Sequence, residues 1–137
     1  LQMQEMQMSL GPAKGKDFAT SLGPCLVSKE ALKDRIIPTP KGNHYDLPMT
    51  ASINGNIVSR GNVKDMHWTF AQILERVSYG VEVHPGEVIG SGTCGTGCLL
   101  ELNGSKVFDP PLWLQLGDVV ECSIDGIGTL TNRIQHA

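Results

Sequence analysis

The stretch Leu47-Pro48-Met49-Thr50-Ala51-Ser52-Ile53-Asn54-Gly55-Asn56-Ile57-Val58 decides the fold class. Met49, Ala51 and Ile53 alternate with polar neighbours, the period of two that marks a half-buried strand. Asn54-Gly55 then offers two residues that tolerate positive φ, as a two-residue hairpin turn requires. Ile57-Val58 begins the return strand. This stretch therefore predicts an antiparallel hairpin, and the rest of the chain is read outward from it.

Downstream, residues 65–79 carry the one clear helical pattern. Phe70, Ile73, Leu74 and Val77 fall at i, i+3, i+4 and i+7, the spacing of a single apolar face. Asp65 is read as the cap and Gly80 as the stop, giving a helix of about three to four turns over 66–79. Strands are expected at 88–89, 99–102, 119–124 and 129–134, with Asp125-Gly126 turning the last pair. Upstream, residues 25–27 read as a short strand, 29–34 as a helical turn and 38–46 as loop. Residues 1–9 read as the end of a strand or helix. The total is six to eight strands around one main helix, a mainly β (α+β) fold in a single domain over 1–137.

Composition agrees. The 137 residues are 40% apolar and 18% charged, which is ordinary for a globular protein and too apolar for a disordered one. A chain of this length is expected to bury roughly 65–70% of its extended surface. Sixteen Gly and eight Pro imply many turns. The net charge of −3 leaves no basic stripe for phosphates, so no nucleic-acid partner is expected. Apolar runs are as short as Cys98-Leu99-Leu100, so no membrane span is expected. The chain opens on Leu1 without a basic region and apolar run, so no secretory signal is read. The four cysteines accordingly read as reduced thiols of a cytoplasmic protein.

Several local patterns occur in a particular order. They are Gly15-Lys16-Asp17-Phe18-Ala19-Thr20 with Leu22-Gly23-Pro24, then Asn54-Gly55, then Asn62-Val63-Lys64-Asp65-Met66-His67-Trp68-Thr69. Pro85-Gly86-Glu87-Val88-Ile89-Gly90-Ser91-Gly92-Thr93 and Leu116-Gly117-Asp118-Val119-Val120-Glu121 follow, and Gly126-Ile127-Gly128-Thr129-Leu130-Thr131-Asn132-Arg133 closes the series. This order resembles the C-terminal catalytic domain of the fumarylacetoacetate hydrolase family over about residues 1–134. The resemblance implies a mixed β-sandwich roll and a divalent-metal enzyme, using Mg2+ or Ca2+, that acts on a small dioxo acid as a homodimer. It implies hydrolysis of a C–C bond in an acid of the fumarylacetoacetate or acylpyruvate type. Decarboxylation, hydration or isomerisation of related oxo acids is the alternative. It also implies that the principal carboxylate ligands, a Glu-x-Glu pair and an Asp, precede Leu1, so that the chain is expected to be the C-terminal part of a larger enzyme. A non-catalytic β domain used for oligomer or partner contacts is the reading from another class.

Five residues take roles from the resemblance. Lys16 matches a Lys beside metal and substrate; its ammonium donates hydrogen bonds to a bound oxyanion but cannot itself ligate a cation. Thr20 matches a Thr near the same metal, where it would orient ligands; otherwise it is a turn residue. Thr93 ends Gly90-Ser91-Gly92-Thr93, where glycines let backbone amides approach a carboxylate, and it matches a substrate-binding Thr. Glu101, alone in Leu99-Leu100-Glu101-Leu102, either points outward from a strand or matches a Glu that orients a water-activating His. None of His44, His67, His84 and His136 matches the block of that His. Gln2 matches a substrate-contacting Gln, while Met6 stands where hydrolytic relatives have Tyr. Cys94 and Cys98 provide two of the four ligands of a structural zinc site and have no second pair, so zinc is not read. Trp68 and Trp113 are read as core or interface anchors.

Overall fold

The computed structural model describes residues 2–9, 11, 15 and 20–136. Helix α1 (Gln2–Gln7) and a 3-10 helix (Lys29–Arg35) precede a two-stranded hairpin of β1 (Ile36–Thr39) and β2 (Gly42–Tyr45). Then come β3 (Pro48–Ile53), β4 (Asn56–Asn62), a 3-10 turn (Val63–Asp65), α2 (Phe70–Val77), α3 (Leu99–Gly104), β5 (Val119–Ile124) and β6 (Gly128–Arg133). The larger sheet has strand order β4-β3-β5-β6 and is antiparallel throughout. This is the mainly β architecture expected.

The Asn54-Gly55 hairpin forms as read, with φ of 51° and 79° at its two turn residues. Asn54 also crosses the sheet. Its Nδ2 donates to Asp118 at 2.8 Å, and its Oδ1 accepts from the Val119 amide at 2.9 Å, fixing β5 against the turn. Met49 lies opposite Ile124 and Ile53 opposite Val120, so the apolar residues of both strands share one face.

Several expectations need correction. Residues 38–46 are not loop but most of the β1–β2 hairpin, with Pro38 opposite Asn43. Their Pro and Gly sit on an edge strand and beside a turn, where those residues are tolerated. No strand forms at 25–27 or 88–89, and Val88 is 75% exposed. Residues 99–102 are helical: the Leu102 amide donates to the Cys98 carbonyl at 3.0 Å, and Leu102 is buried. Four residues, three of them leucine, are too few to show a period that separates strand from helix. The expected single helix is accompanied, among the described residues, by α1 and α3. The main helix is shorter than expected, and its cap is Thr69 rather than Asp65. Thr69 Oγ1 accepts from the Gln72 amide while Gln72 Oε1 accepts from the Thr69 amide, a capping box.

Thr69 also joins elements. It is fully buried, and its Oγ1 donates to the Lys41 carbonyl at 2.7 Å, so the α2 cap is tied to the turn of the first hairpin. Gly42 has φ +117°, and a Cβ there would lie 2.9 Å from Thr69 Oγ1, so both backbone and space call for glycine.

Leu47, Ile53 and Leu102 are the buried apolar side chains among the described residues. The accessible surface is 10499 Å², against roughly 7,000 Å² for a compact monomer of this mass. The chain therefore buries about half of its extended surface, less than the 65–70% expected. Helix α2 buries none of its side chains, and Trp68, Leu74 and Tyr79 stand exposed along it. All four cysteines are free thiols.

Candidate functional site

A cavity of about 350 Å³ opens between the end of β4 and the glycine-bordered loop at 91–95. Asn62, the last residue of β4, builds one wall. Its Oδ1 accepts from the amides of Leu47 (3.0 Å) and Lys64 (3.1 Å), and its Nδ2 donates to Asp46 at 2.7 Å. These bonds fold the chain into the 3-10 turn that delivers Asp65, Met66 and His67 to the cavity. Lys64 reaches back to Asp46 at 3.0 Å. Hydrogen bonds from Lys64 and Asn62 hold the Asp46 carboxyl below the usual carboxylate range. The His67 ring stands edge-on to Trp68, with centroids 4.8 Å apart.

The opposite wall is the loop carrying Thr93 and Cys94. Gly92 has φ +86°, a conformation that side chains rarely adopt. Gly61 of β4 leaves room for Cys94: a Cβ there would lie 3.5 Å from Cys94 Sγ, so the loop rests on the sheet. After Cys94 the chain turns, with the Gly97 amide donating to the Cys94 carbonyl at 3.2 Å. The third turn residue, Thr96, has φ +66°. That geometry normally takes Gly or Asn, and a β-branched residue there costs roughly 1–2 kcal/mol. Two contacts hold it: Glu101 Oε2 accepts from the Thr96 amide at 2.9 Å, and the buried Ser59 hydroxyl lies 2.9 Å from Thr96 Oγ1.

Of the residues singled out in the sequence, Thr93 lines the cavity. Glu101 is exposed on α3 and turned toward Thr96 rather than lining the cavity wall. Thr20 is exposed and also lies outside that wall. Gln2 opens α1, and Lys16 lies outside the described residues. Sequence reasoning misses Asn62, Asp65 and His67 as site residues. The signal for them is the Asn62–Thr69 block itself, in which Asp65 reads as a helix cap. Among the described residues no three His, Cys, Asp or Glu side chains converge to hold a metal ion. No helix there is long and apolar enough to cross a membrane.

An antiparallel sheet with a glycine-bordered loop resting on it, beside a cavity lined by Asn62, Asp65, His67 and Thr93 among apolar neighbours, defines a mainly β domain. The family model described as fumarylacetoacetate (FAA) hydrolase C-terminal matches residues 1–135, and the chain belongs to the fumarylacetoacetate hydrolase family. It is 31% identical over 135 residues to oxaloacetate tautomerase YisK of Bacillus subtilis, covering 98% of this chain and 38% of that protein. It is 32% identical over 123 residues to the human mitochondrial oxaloacetate tautomerase FAHD2A, covering 88% of this chain and 34% of that protein. A solved structure, the fumarylacetoacetate hydrolase of Exiguobacterium antarcticum, superposes with a TM-score of 0.67 at 29% identity, covering 98% of this chain and 43% of that one. The chain thus spans little more than a third of the length of these curated relatives. Enzymes of the family commonly work with a divalent metal. The described residues do not supply a ligand set for one.

Proposed function

We propose that the chain is part of an enzyme that interconverts the keto and enol forms of a small 2-oxo dicarboxylic acid, of which oxaloacetate is the model. The observation that carries this reading is the cavity that sets Thr93 and its neighbouring amides opposite Asp65 and His67. Keto–enol exchange moves one proton between carbon and oxygen and needs no attacking water. It asks for donors toward the oxygen that gains charge and for a group that carries the proton. The Thr93 hydroxyl and the loop amides are such donors. The His67 imidazole, whose ring nitrogens can both give and accept a proton, serves as the carrier. Lys16, by the family resemblance, adds a cation toward the developing enolate. Two relatives named as oxaloacetate tautomerases support the choice of chemistry.

The second reading is hydrolysis of a C–C bond in a dioxo acid, favoured by the likeness to the Exiguobacterium fumarylacetoacetate hydrolase. The test follows the ultraviolet absorbance of enol oxaloacetate in the full-length protein. Accelerated decay is expected, with Thr93→Val lowering kcat/KM by about 10²-fold, the effect of removing one oxyanion donor. Cleavage of an acylpyruvate without any acceleration of enol decay would replace this reading with the hydrolase.

A further inference from the structure

The strained turn beside the cavity is held from outside it. Thr96 keeps a left-handed backbone although it is β-branched. The Glu101 carboxylate on its amide and the buried Ser59 hydroxyl on its side chain are the contacts that oppose relaxation. Gly97 closes the same turn. A Cβ there would lie 3.0 Å from the Cys94 carbonyl oxygen and 3.2 Å from Cys94 Sγ, so a side chain at 97 would crowd the turn. Thr93 stands immediately before this turn and Cys94 is its first residue, and both line the cavity. Their position is set by where the turn begins.

We infer that Glu101 is a positioning residue: by accepting the Thr96 amide it clamps the 94–97 turn, with Ser59, and so aims Thr93 at the substrate. This rests on the reading that the cavity under Thr93 binds substrate. A hydrogen-bond acceptor is what the clamp requires, and a negative charge is not. Gln at 101 retains an acceptor oxygen, whereas Ala does not. Gly at 96 adopts positive φ without strain and makes the clamp dispensable.

Two measurements test this. The first is amide exchange at Gly97 in the 137-residue protein, with the β3–β5 ladder amides as the reference for intact folding. Glu101→Ala is expected to raise Gly97 exchange at least tenfold. Glu101→Gln should stay within about threefold of the parent, and adding Thr96→Gly to Glu101→Ala should restore protection. An Ala variant with unchanged Gly97 exchange, or a Gln variant as fast as Ala, overturns the clamp. The second is oxaloacetate turnover by the full-length protein. Glu101→Ala is expected to lower kcat/KM about tenfold, a part of the Thr93→Val loss, and Glu101→Gln to recover the parent value. A hundredfold loss of kcat in Glu101→Gln would make Glu101 a water-activating partner and overturn the assignment. Absence of turnover in the parent would refute the proposed function, while the exchange measurement would still decide the clamp.

Discussion

Asp46 illustrates how much one exposed carboxylate can organise without entering the chemistry. It receives Asn62 and Lys64 at the corner from which Asp65 and His67 project. Its carboxyl is held below its ordinary range first by Lys64 and then by Asn62. The folded state therefore binds this proton less readily than the unfolded chain. The resulting stabilisation is complete above the unfolded value of about 4 and is lost as pH falls through the lower folded value. Asp46→Asn should remove this part of the acid dependence. Between pH 7 and pH 3, the urea midpoint of the variant is expected to fall less than that of the parent. Equal falls would show that the Asp46 contacts contribute nothing to folding. Asp118 is lowered in the same direction by the Gln115 amide and by Asn54, so part of the acid dependence persists in the variant.

Among the elements, the junction of the first hairpin with α2 depends on Thr69 more than on helix propensity. An eight-residue helix is too short to stand alone in water. Thr69→Val keeps the shape and removes the hydroxyl, leaving the Lys41 carbonyl and the Gln72 amide without that partner. A loss of about 2–3 kcal/mol is expected from cap and buried hydrogen bond together, read from chemical denaturation. A change below about 0.5 kcal/mol would show that the junction is held elsewhere. This junction is also the least legible part of the sequence. The Asn54-Gly55 hairpin and the β5–β6 pair can be read because their turns are local and their alternation is regular. The β1–β2 hairpin cannot, since Pro38 and Gly42 carry the composition of a loop, and the glycine is explained by its positive φ and by the close approach of Thr69 and Ala71, neither visible in the sequence. Residues 99–102 mislead for the opposite reason: apolar character without a period. At the site, Thr93 is legible through its flanking glycines. Glu101 is legible as an unusual charge, but its partner is a backbone amide, and a backbone amide leaves no mark in a sequence. Asp65 and His67 reach the cavity through a turn set by the Asn62 side chain, a three-dimensional fact hidden behind an ordinary-looking cap.

At the scale of the whole molecule, the chain exposes roughly half as much surface again as a compact protein of its mass. The excess is not polar fringe: Leu26 is 98% exposed, Met3 78% and Val88 75%. A groove of about 510 Å³ runs along α2 between Trp68 and Tyr79. The well-paired β3–β5 centre and the loosely covered margins thus belong to one chain with very unequal shares of burial.

That inequality has a calorimetric consequence. Side chains already wet in the native state change their hydration little when the chain unfolds, so they add little to the heat capacity of unfolding. A compact domain of this length would show an increment of roughly 1.6–2.1 kcal/mol/K. With about half rather than two-thirds of its surface withdrawn from water, this chain should fall about a quarter below that range in differential scanning calorimetry at low concentration. Its stability curve would then be a moderately shallower dome than that of a compact domain of the same length. An increment at the full compact-domain value would mean that the margins are covered in solution.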